Sequence, residues 1–325
     1  ASLANCAGFL LMVLVLHQWL DYGYLLLLII GVTLLALLLA SRWSQTACVT
    51  TCLLLIGTAT LHQQRWNEEL LYLSYTSFRD TDSLLEARQE LQRSDRYRGH
   101  QDVFSINWRD DTPYFFINGY TSIPLTNPSE KLVGAISSLF SPRNDHALVL
   151  GLGSGATASA VGRLFEHTDV VEINPVVRDN LHRMAEWNYG IESNPRVNIV
   201  VDDAIHFSKT RAQQYSLILN TVTTPLYFSS AKLYTDDFFK VIRQRLRSDG
   251  LYVTWVDSRI GDPGVAIILE TLKNNFEHCG LAFVKSSYYL LLCSQQPIRA
   301  HQPLLAANDS VISDDLLTNH AIEAQ

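Results

Sequence analysis

Cysteine is scarce and carries no pattern. The 325-residue chain has five, none in a C-x-x-C spacing, which supports neither a zinc site nor a disulfide framework. Cys48 and Cys52 share a helix face inside an apolar segment, and Cys279 and Cys293 flank an expected terminal hairpin. All four are expected to be small buried hydrophobes. Basic runs are absent too. The formal net charge is −7, and no nucleic-acid footprint is present. The ten histidines include no H-x-x-x-H or H-E-x-x-H spacing, so no metal is expected. There is no G-x-S-x-G elbow, which leaves a hydrolase unsupported.

Charge is nearly missing from the first sixty-odd residues. Three apolar blocks follow one another there, Leu3 to Leu20, Tyr22 to Ala40 and Thr46 to Leu61. Each approaches the roughly 20 residues that cross a bilayer core. Asp21 with Gly23 divides the first pair, and Ser41 to Gln45 divides the second. Trp19, Tyr22, Tyr24 and Trp43 stand at the ends, where amphipathic rings favour the interface. A cleavable signal peptide would have a basic start and one short apolar core. Three membrane helices and a lipid bilayer partner are therefore expected. Arg42 on one side and Arg65 with Arg79 on the other leave the orientation undecided by charge. The first residue is alanine, so a processed product or part of a longer membrane protein is expected.

The remainder reads as a folded domain built on Ala147 to Phe165. An apolar run (Ala147 to Leu150) ends in Gly151-Leu152-Gly153-Ser154-Gly155, and a small-residue helix pattern follows. Glycines suit a turn with unusual backbone angles where a ligand approaches the main chain. The helix N-terminus then offers free N–H groups and partial positive charge. A second strand ends in Glu172, about 20 positions on, where an acid grips ribose hydroxyls in doubly wound nucleotide folds. A third strand, Val197 to Val201, ends in Asp202-Asp203-Ala204. Ligands in open α/β sheets sit at those carboxyl ends, so a nucleoside site is expected.

The other elements fall around this motif. Asp82 to Arg96 reads as a surface helix with a narrow apolar stripe. Gln101 to Trp108 and Tyr114 to Ile117 read as strands with turns at Asp110-Asp111 and Asn118-Gly119. Helices are expected at Pro128–Phe140, Pro175–Trp187, Asp203–Arg211, Asp236–Leu246 and Gly264–Glu277. Tyr215–Asn220 is a fourth strand. Ser248-Asp249-Gly250 turns into a fifth, Leu251–Val256, and a hairpin of Leu281–Lys285 with Tyr288–Cys293 closes the sheet. The chain thus divides into transmembrane helices (1–61), a helical linker (62–100), a small β region (101–127), an α/β nucleoside-binding domain (128–298) and a polar tail (299–325).

The order of elements with a terminal hairpin resembles the class I methyltransferase fold, a doubly wound, mostly parallel sheet. More narrowly, the chain resembles the spermidine synthase (polyamine aminopropyltransferase) family, above all its membrane-fused bacterial branch. The matching pieces are Gly151 to Gly155, Val171-Glu172-Ile173-Asn174-Pro175, Asp203-Ala204, Leu233 to Phe239, and Arg245 to Gly250 with Trp255. The resemblance implies that Glu172 binds the ribose hydroxyls of an adenosyl group and Asp203 its adenine amino group. Gly151, Gly153, Ser154, Gly155 and Ala204 complete the cofactor site, with the turn under the sulfur end. The ligand is S-adenosylmethionine, its decarboxylated form or methylthioadenosine. A bacterial inner membrane with the folded domain in the cytoplasm, where adenosyl cofactors are, is the implied location.

The chain also departs from that family. Soluble spermidine synthases carry a D-[ST]-[ST]-D-P loop after the fourth strand, and its first aspartate helps deprotonate the amine. Here the loop is Asn220-Thr221-Val222-Thr223-Thr224-Pro225, without a carboxylate. The tyrosine-bearing gate should lie near Ser129-Glu130-Lys131-Leu132, which does not match. A polyamine cation needs carboxylates around it, and its attacking nitrogen needs a base. Asp257, past the fifth strand, is the candidate base; Asn220 occupies the lost aspartate's place, and Glu130 is a further candidate. Two functions are compatible with this pattern. One is a membrane-anchored transferase moving an aminopropyl or methyl group to an unknown acceptor. The other is a catalytically inactive subunit or sensor of a membrane complex, partnered by other membrane proteins or a second copy. A nicotinamide dehydrogenase is the weaker third reading.

Overall fold

The computed structural model describes residues 2–16, 19–20, 22–65, 82, 86, 89, 91–99, 102–117, 119–222, 225, 228–284 and 288–301. Two compact units are present, residues 1–122 and 123–325.

In the first unit, apolar sequence makes helices α1 (Ser2–Leu11, followed by a π turn, Met12–Leu16), α2 (Tyr22–Ala40) and α3 (Gln45–Arg65). Among the described residues two stretches are long and apolar enough to cross a membrane, Gly23–Ala40 and Gln45–Gln64, and Ser2–Leu16 is shorter, where three spans were expected. The hydroxyls of Thr33, Thr58 and Thr60 donate back to Ile29, Leu54 and Ile56 carbonyls at 2.8 Å, so these polar groups need no water. Large apolar side chains such as Leu26, Val32, Leu53 and Ile56 face outward.

The same unit carries the strands β1 (Leu91–Arg98), β2 (Val103–Arg109), β3 (Thr112–Ile117) and β4 (Tyr120–Pro124), in sequential order in a four-stranded sheet. Asp110 and Asp111, both at positive φ, make the tight turn between β2 and β3, as a two-residue hairpin requires. The surface helix expected over Asp82–Arg96 does not run its full length. Asp82, Glu86 and Gln89 are helical, but Leu91–Arg98 is a strand paired antiparallel to β2. Stacking of Tyr97 on Phe104 (5.3 Å) and the Ser94 hydroxyl donating to Asn107 (2.7 Å) supply what the local pattern did not; cross-strand pairs override weak helical propensity.

The second unit is α/β. Its elements are α4 (Ser129–Leu139), β5 (His146–Leu150), α5 (Ala156–Leu164), β6 (His167–Glu172), α6 (Pro175–Asp179), β7 (Val197–Val201), α7 (Ala204–Thr210), β8 (Tyr215–Asn220), α8 (Phe228–Ala231), α9 (Asp236–Arg245), β9 (Leu246–Asp257), α10 (Gly261–Lys273), β10 (His278–Val284) and β11 (Tyr288–Ser294). The seven-stranded sheet has the order β10-β11-β9-β8-β5-β6-β7. Strands β5 to β9 run parallel, and β11 is antiparallel to both neighbours. Leu148, Leu150, Leu217, Ile218 and Leu219 are fully buried, the continuous apolar runs that a sheet covered on both faces demands. Strand order reverses between β5 and β8, so a crevice for ligands is expected at their carboxyl ends.

Local departures have local causes. The expected Pro175–Trp187 helix stops at Asp179 and resumes as a 3₁₀ turn, Leu181–Met184. At the break the Asn180 side chain donates to the Val176 carbonyl at 2.8 Å, a side-chain competitor for the helical bond. The expected turn at Ser248–Gly250 is an irregularity inside β9, where pairing with β8 slips between Tyr215 and Leu217. Helix α10 lies three or four residues earlier than expected. The expectation for Cys279 and Cys293 is corrected: they face each other across the β10–β11 hairpin, 4.2 Å apart at Cα, and form a disulfide. Their register within the hairpin, invisible in the spacing, decides this. Residues 66–81 of the expected helical linker and the polar tail beyond His301 lie outside the described residues.

Two predictions follow from these contacts. Alkylation of the denatured, unreduced protein should label three of the five thiols, Cys6, Cys48 and Cys52 being free, and mass spectrometry after reduction should then reveal the remaining two. Burial first, then the Asp169 carboxylate that accepts its hydroxyl proton at 2.8 Å, raises the Tyr215 pKa, and burial also raises those of Tyr234 and Tyr252. An unfolded tyrosine ionises near pH ~10 while the folded ones stay neutral. The stability they contribute is therefore complete below about pH 10 and declines as pH rises above it. Chemical denaturation with a tyrosinate absorbance readout should show a steady loss of stability above that pH while these folded tyrosines stay un-ionised.

Candidate nucleoside site at the strand ends

The site begins with a backbone problem. Gly151, Gly153 and Gly155 all have positive φ (94°, 53° and 83°), a region that costs a side chain about 1–2 kcal/mol. At Gly151 a Cβ would also stand 2.7 Å from the Thr221 Oγ1. At Gly153 it would meet nothing within 4 Å, so this side of the turn is open to a ligand. Gly155 precedes the first residue of α5, and Leu181, Asn188 and Ile191 close over it.

Three neighbours hold the turn. The Leu152 N–H donates to Glu172 Oε2 and the Asn174 N–H to Glu172 Oε1, both at 2.9 Å, with Glu172 only 6% exposed. The Asn188 amide donates to the Ser154 carbonyl at 3.0 Å. Thr221 donates its N–H to the Leu150 carbonyl (2.9 Å) and its hydroxyl to the carbonyls of Leu150 (3.0 Å) and Gly151 (2.9 Å). Ser154 is buried; its hydroxyl accepts from the Ala156 N–H and donates to Glu130 Oε2.

The sequence-expected residues divide by what they do. The glycines, Ser154 and Glu172 come together. Asp203 caps α7, its Oδ1 accepting from the N–H groups of Ile205 (2.8 Å) and His206 (2.9 Å); it is exposed at the end of the loop after β7, and Ala204 follows it on the core side. His206 is exposed on α7, with its Nδ1 2.9 Å from Asp202 Oδ1.

The two catalytic candidates have other roles here. Asn220 is fully buried, its Oδ1 accepting from the Val222 N–H (3.2 Å) and its Nδ2 donating to the Thr254 hydroxyl (3.3 Å). It is a strut between β8 and β9. Asp257 is 2% exposed and its Oδ1 caps the 3₁₀ turn Ser258–Ile260 through the Arg259 N–H at 2.8 Å. Its Oδ2 accepts from Arg259 Nε at 2.6 Å and Nη2 at 2.5 Å. A carboxylate held by a guanidinium in this way is a positioned anion, and both oxygens are already committed. Of the acid-free loop, Thr223 and Thr224 lie outside the described residues.

Sequence reasoning missed three contributors. Ile173, 54% exposed directly after Glu172, offers an apolar face at the strand end; an apolar residue after a strand-terminal acid was the available signal. Asn188 is far from the turn in sequence and left none. Tyr234 lies in a stretch quoted above but without a role. It is buried, and its hydroxyl lies against the carbonyls of Val222 and Trp255. Burial, then the charges of Asp257 and Glu130, raises the pKa of Tyr288, with Arg259 opposing. These four residues therefore share one electrostatic neighbourhood. Two cavities among the described residues, about 430 and 290 Å³, are lined by Arg163, Tyr189, Asn194, Arg196 and by His146, His167, Asp169, away from the expected site residues. Among the described residues no cluster of acidic, histidine or cysteine side chains could hold a metal.

Taken together, a methyltransferase-like doubly wound domain with an acid at the end of β6 and a glycine turn after β5 defines the class of protein. Residues 128–291 match the family model for the spermine/spermidine synthase domain, and the chain belongs to that family. It is 28% identical over 143 residues to a polyamine aminopropyltransferase of Sulfurisphaera tokodaii, covering 42% of this chain and 47% of that one. It is 31% identical over 134 residues to polyamine aminopropyltransferase 2 of Hyperthermus butylicus, covering 40% and 44%. The chain thus spans about half the length of the curated relatives it matches. Its fold is similar to that of spermidine synthase from Thermotoga maritima (TM-score 0.57, 14% identity, 70% of this chain and 88% of that one). A spermidine synthase bound to the transition-state analogue AdoDATO is similar to the same degree (TM-score 0.58, 14% identity, 70% and 89%).

The geometry ranks the glycines. Gly151→Ala should destabilise the domain by about 2–3 kcal/mol, because backbone strain and a clash combine, and Gly153→Ala by only about 1 kcal/mol, from strain alone. Denaturant unfolding of the two variants in detergent checks the order.

Proposed function

We propose that this protein is a membrane-anchored aminopropyltransferase-like transferase whose domain binds an S-adenosyl-type nucleoside at the ends of β5, β6 and β7. The observation that carries the reading is the pairing of Glu172 with the Leu152 N–H beneath a turn left open at Gly153. The carboxylate is buried and fixed in direction by two N–H groups, and a carboxylate so oriented at a strand end is the acceptor type that suits two adjacent ribose hydroxyls. Asp203 reaches the adenine amino group from the cap of α7, with Ile173 against the base. These residues fit a nucleoside, and decarboxylated S-adenosylmethionine, S-adenosylmethionine and methylthioadenosine are the candidates.

A sulfonium donor supplies an activated carbon, and the protein's task is then alignment and exclusion of water. The acceptor's nature follows from the charges nearby. With Asn220 in place of an acid and Asp257 bound to Arg259, the end of the β8 loop is poor in free negative charge. That favours an acceptor of low charge, or one delivered from the bilayer, over a polyamine polycation. The apolar helices α2 and α3 make a bilayer anchor, and donor supply places the domain on the cytoplasmic face of a bacterial inner membrane.

A second reading is favoured by two observations, the acid-free loop and the Cys279–Cys293 disulfide. Disulfides persist in oxidising compartments. A domain exposed there would lack adenosyl donors and serve as a non-catalytic subunit or sensor of a membrane complex.

Calorimetric titration of the detergent-solubilised protein with the three nucleosides separates these readings. At least one should bind. Glu172→Ala should weaken it about 10- to 100-fold, the scale of hydrogen bonds to a charged group, and Gly153→Ala should abolish binding while leaving the fold intact. No binding by any of the three would leave the second reading standing.

A further inference from the structure

The amino end of β7 carries chemistry that the nucleoside reading does not use. A cavity of about 430 Å³ opens there, away from the carboxyl ends where the glycine turn lies. Its walls include Arg163, Tyr189, Gly190, Ser193 and Arg196, and no acid. In a chain of net charge −7, two arginines around one cavity without a carboxylate are a local reversal of sign. The volume is within the range of small-molecule sites.

The end of α5 brings the arginines together. A Cβ at Gly162 would collide with the Val197 side chain, so α5 is pressed against the start of β7. The Asn194 amide donates to the Gly162 carbonyl at 3.1 Å, and Arg196 Nη1 to the Arg163 carbonyl at 3.4 Å. These carbonyls at the helix end are thus answered, and its negative pole is offset. The Tyr189 ring forms another wall. Lys131 Nζ lies 4.3 Å from its centroid and the Arg163 guanidinium 5.6 Å, which adds a third positive charge nearby. Tyr189 and Gly190 both have positive φ, and a Cβ on Gly190 would meet nothing within 4 Å. This strained pair leaves space at the wall. Among the described residues, the Arg196 side chain makes only the one long bond to Arg163 and meets no carboxylate, and the Ser193 hydroxyl makes no hydrogen bond. Both residues are exposed.

We propose that this cavity binds a small soluble molecule through a phosphomonoester group, held between Arg163 and Arg196 with the Ser193 hydroxyl as a further donor. Planar guanidinium forks match phosphate oxygens in pairs, and a dianion is the charge that two converging arginines offset. A carboxylate brings one charge and two oxygens, and answers less of the arrangement. The site is separate from the nucleoside cleft, so the two readings stand or fall independently.

Calorimetric titration of the full chain in non-ionic detergent with glycerol 3-phosphate tests this, at constant ionic strength and with glycerol and acetate as controls. Saturable one-site binding is expected for glycerol 3-phosphate and none for glycerol, and acetate should bind about tenfold more weakly. Arg196→Ala should weaken binding about 10- to 30-fold, the scale of hydrogen bonds to a charged group. That variant also removes a bond at the end of α5. Ser193→Ala leaves the bond in place, and should lose about threefold in affinity at an unchanged unfolding midpoint. Absence of saturable binding, or full affinity in either variant, would overturn the proposal, because the arginines would then only cap α5. Displacement of the phosphate by methylthioadenosine would overturn it too, by placing the group at the glycine turn. Dihexanoyl phosphatidic acid carries the same group on a lipid, and tighter binding of it than of glycerol 3-phosphate would overturn the soluble source.

Discussion

The hydrogen bond from the Leu152 N–H to the Glu172 carboxylate is the constraint on which the second unit's arrangement turns. It joins the end of β5 to the end of β6 at the point where the chain must reverse with three glycines at positive φ. An N–H left bare at a buried turn would cost about 1–3 kcal/mol, and the carboxylate would be equally costly without its donors. Each therefore needs the other. The bond also sets the direction of the carboxylate at the strand ends.

Around that bond the carboxylates are distributed unevenly, and this shapes the chemistry available. On the β8 and β9 side the acids are gone or neutralised: Asn220 bridges to Thr254, and Asp257 is bound by Arg259. On the α4 side, Glu130 touches the turn. In this member of the family the acids at the ends of β6 and β7 are present, while the loop after β8 carries none. This asymmetry is compatible with altered chemistry and with lost chemistry, and ligand affinity distinguishes the two because only the first needs a functioning nucleoside cleft.

Much of this was legible in the chain. Gly151, Gly153 and Gly155 after an apolar run, Glu172 about twenty residues on and Asp203 after a third strand are local signals, and all fall at strand ends. What could not be read depends on tertiary register. Leu91–Arg98 looks helical in isolation, and only pairing with β2 makes it a strand. Cys279 and Cys293 become partners through a hairpin register that spacing alone does not state. Asp257 looked available because its occupant, Arg259, lies two residues away around a 3₁₀ turn. Asn188 holds the turn from a segment whose sequence distance conceals it.

Strand β11 has a consequence for how the protein is made. It is the last strand among the described residues, yet it lies inside the sheet, between β9 and β10, with Leu290, Leu291, Leu292 and Cys293 buried. While the ribosome is still reading the codons before residue 288, β9 has an open edge and the apolar face behind it is wet. The apolar helices at the amino end have by then long left the exit tunnel. A nascent chain thus has its apolar amino-terminal helices well before its seven-stranded sheet is sealed, and truncation between β9 and β11 leaves an aggregation-prone edge rather than a smaller version of the domain.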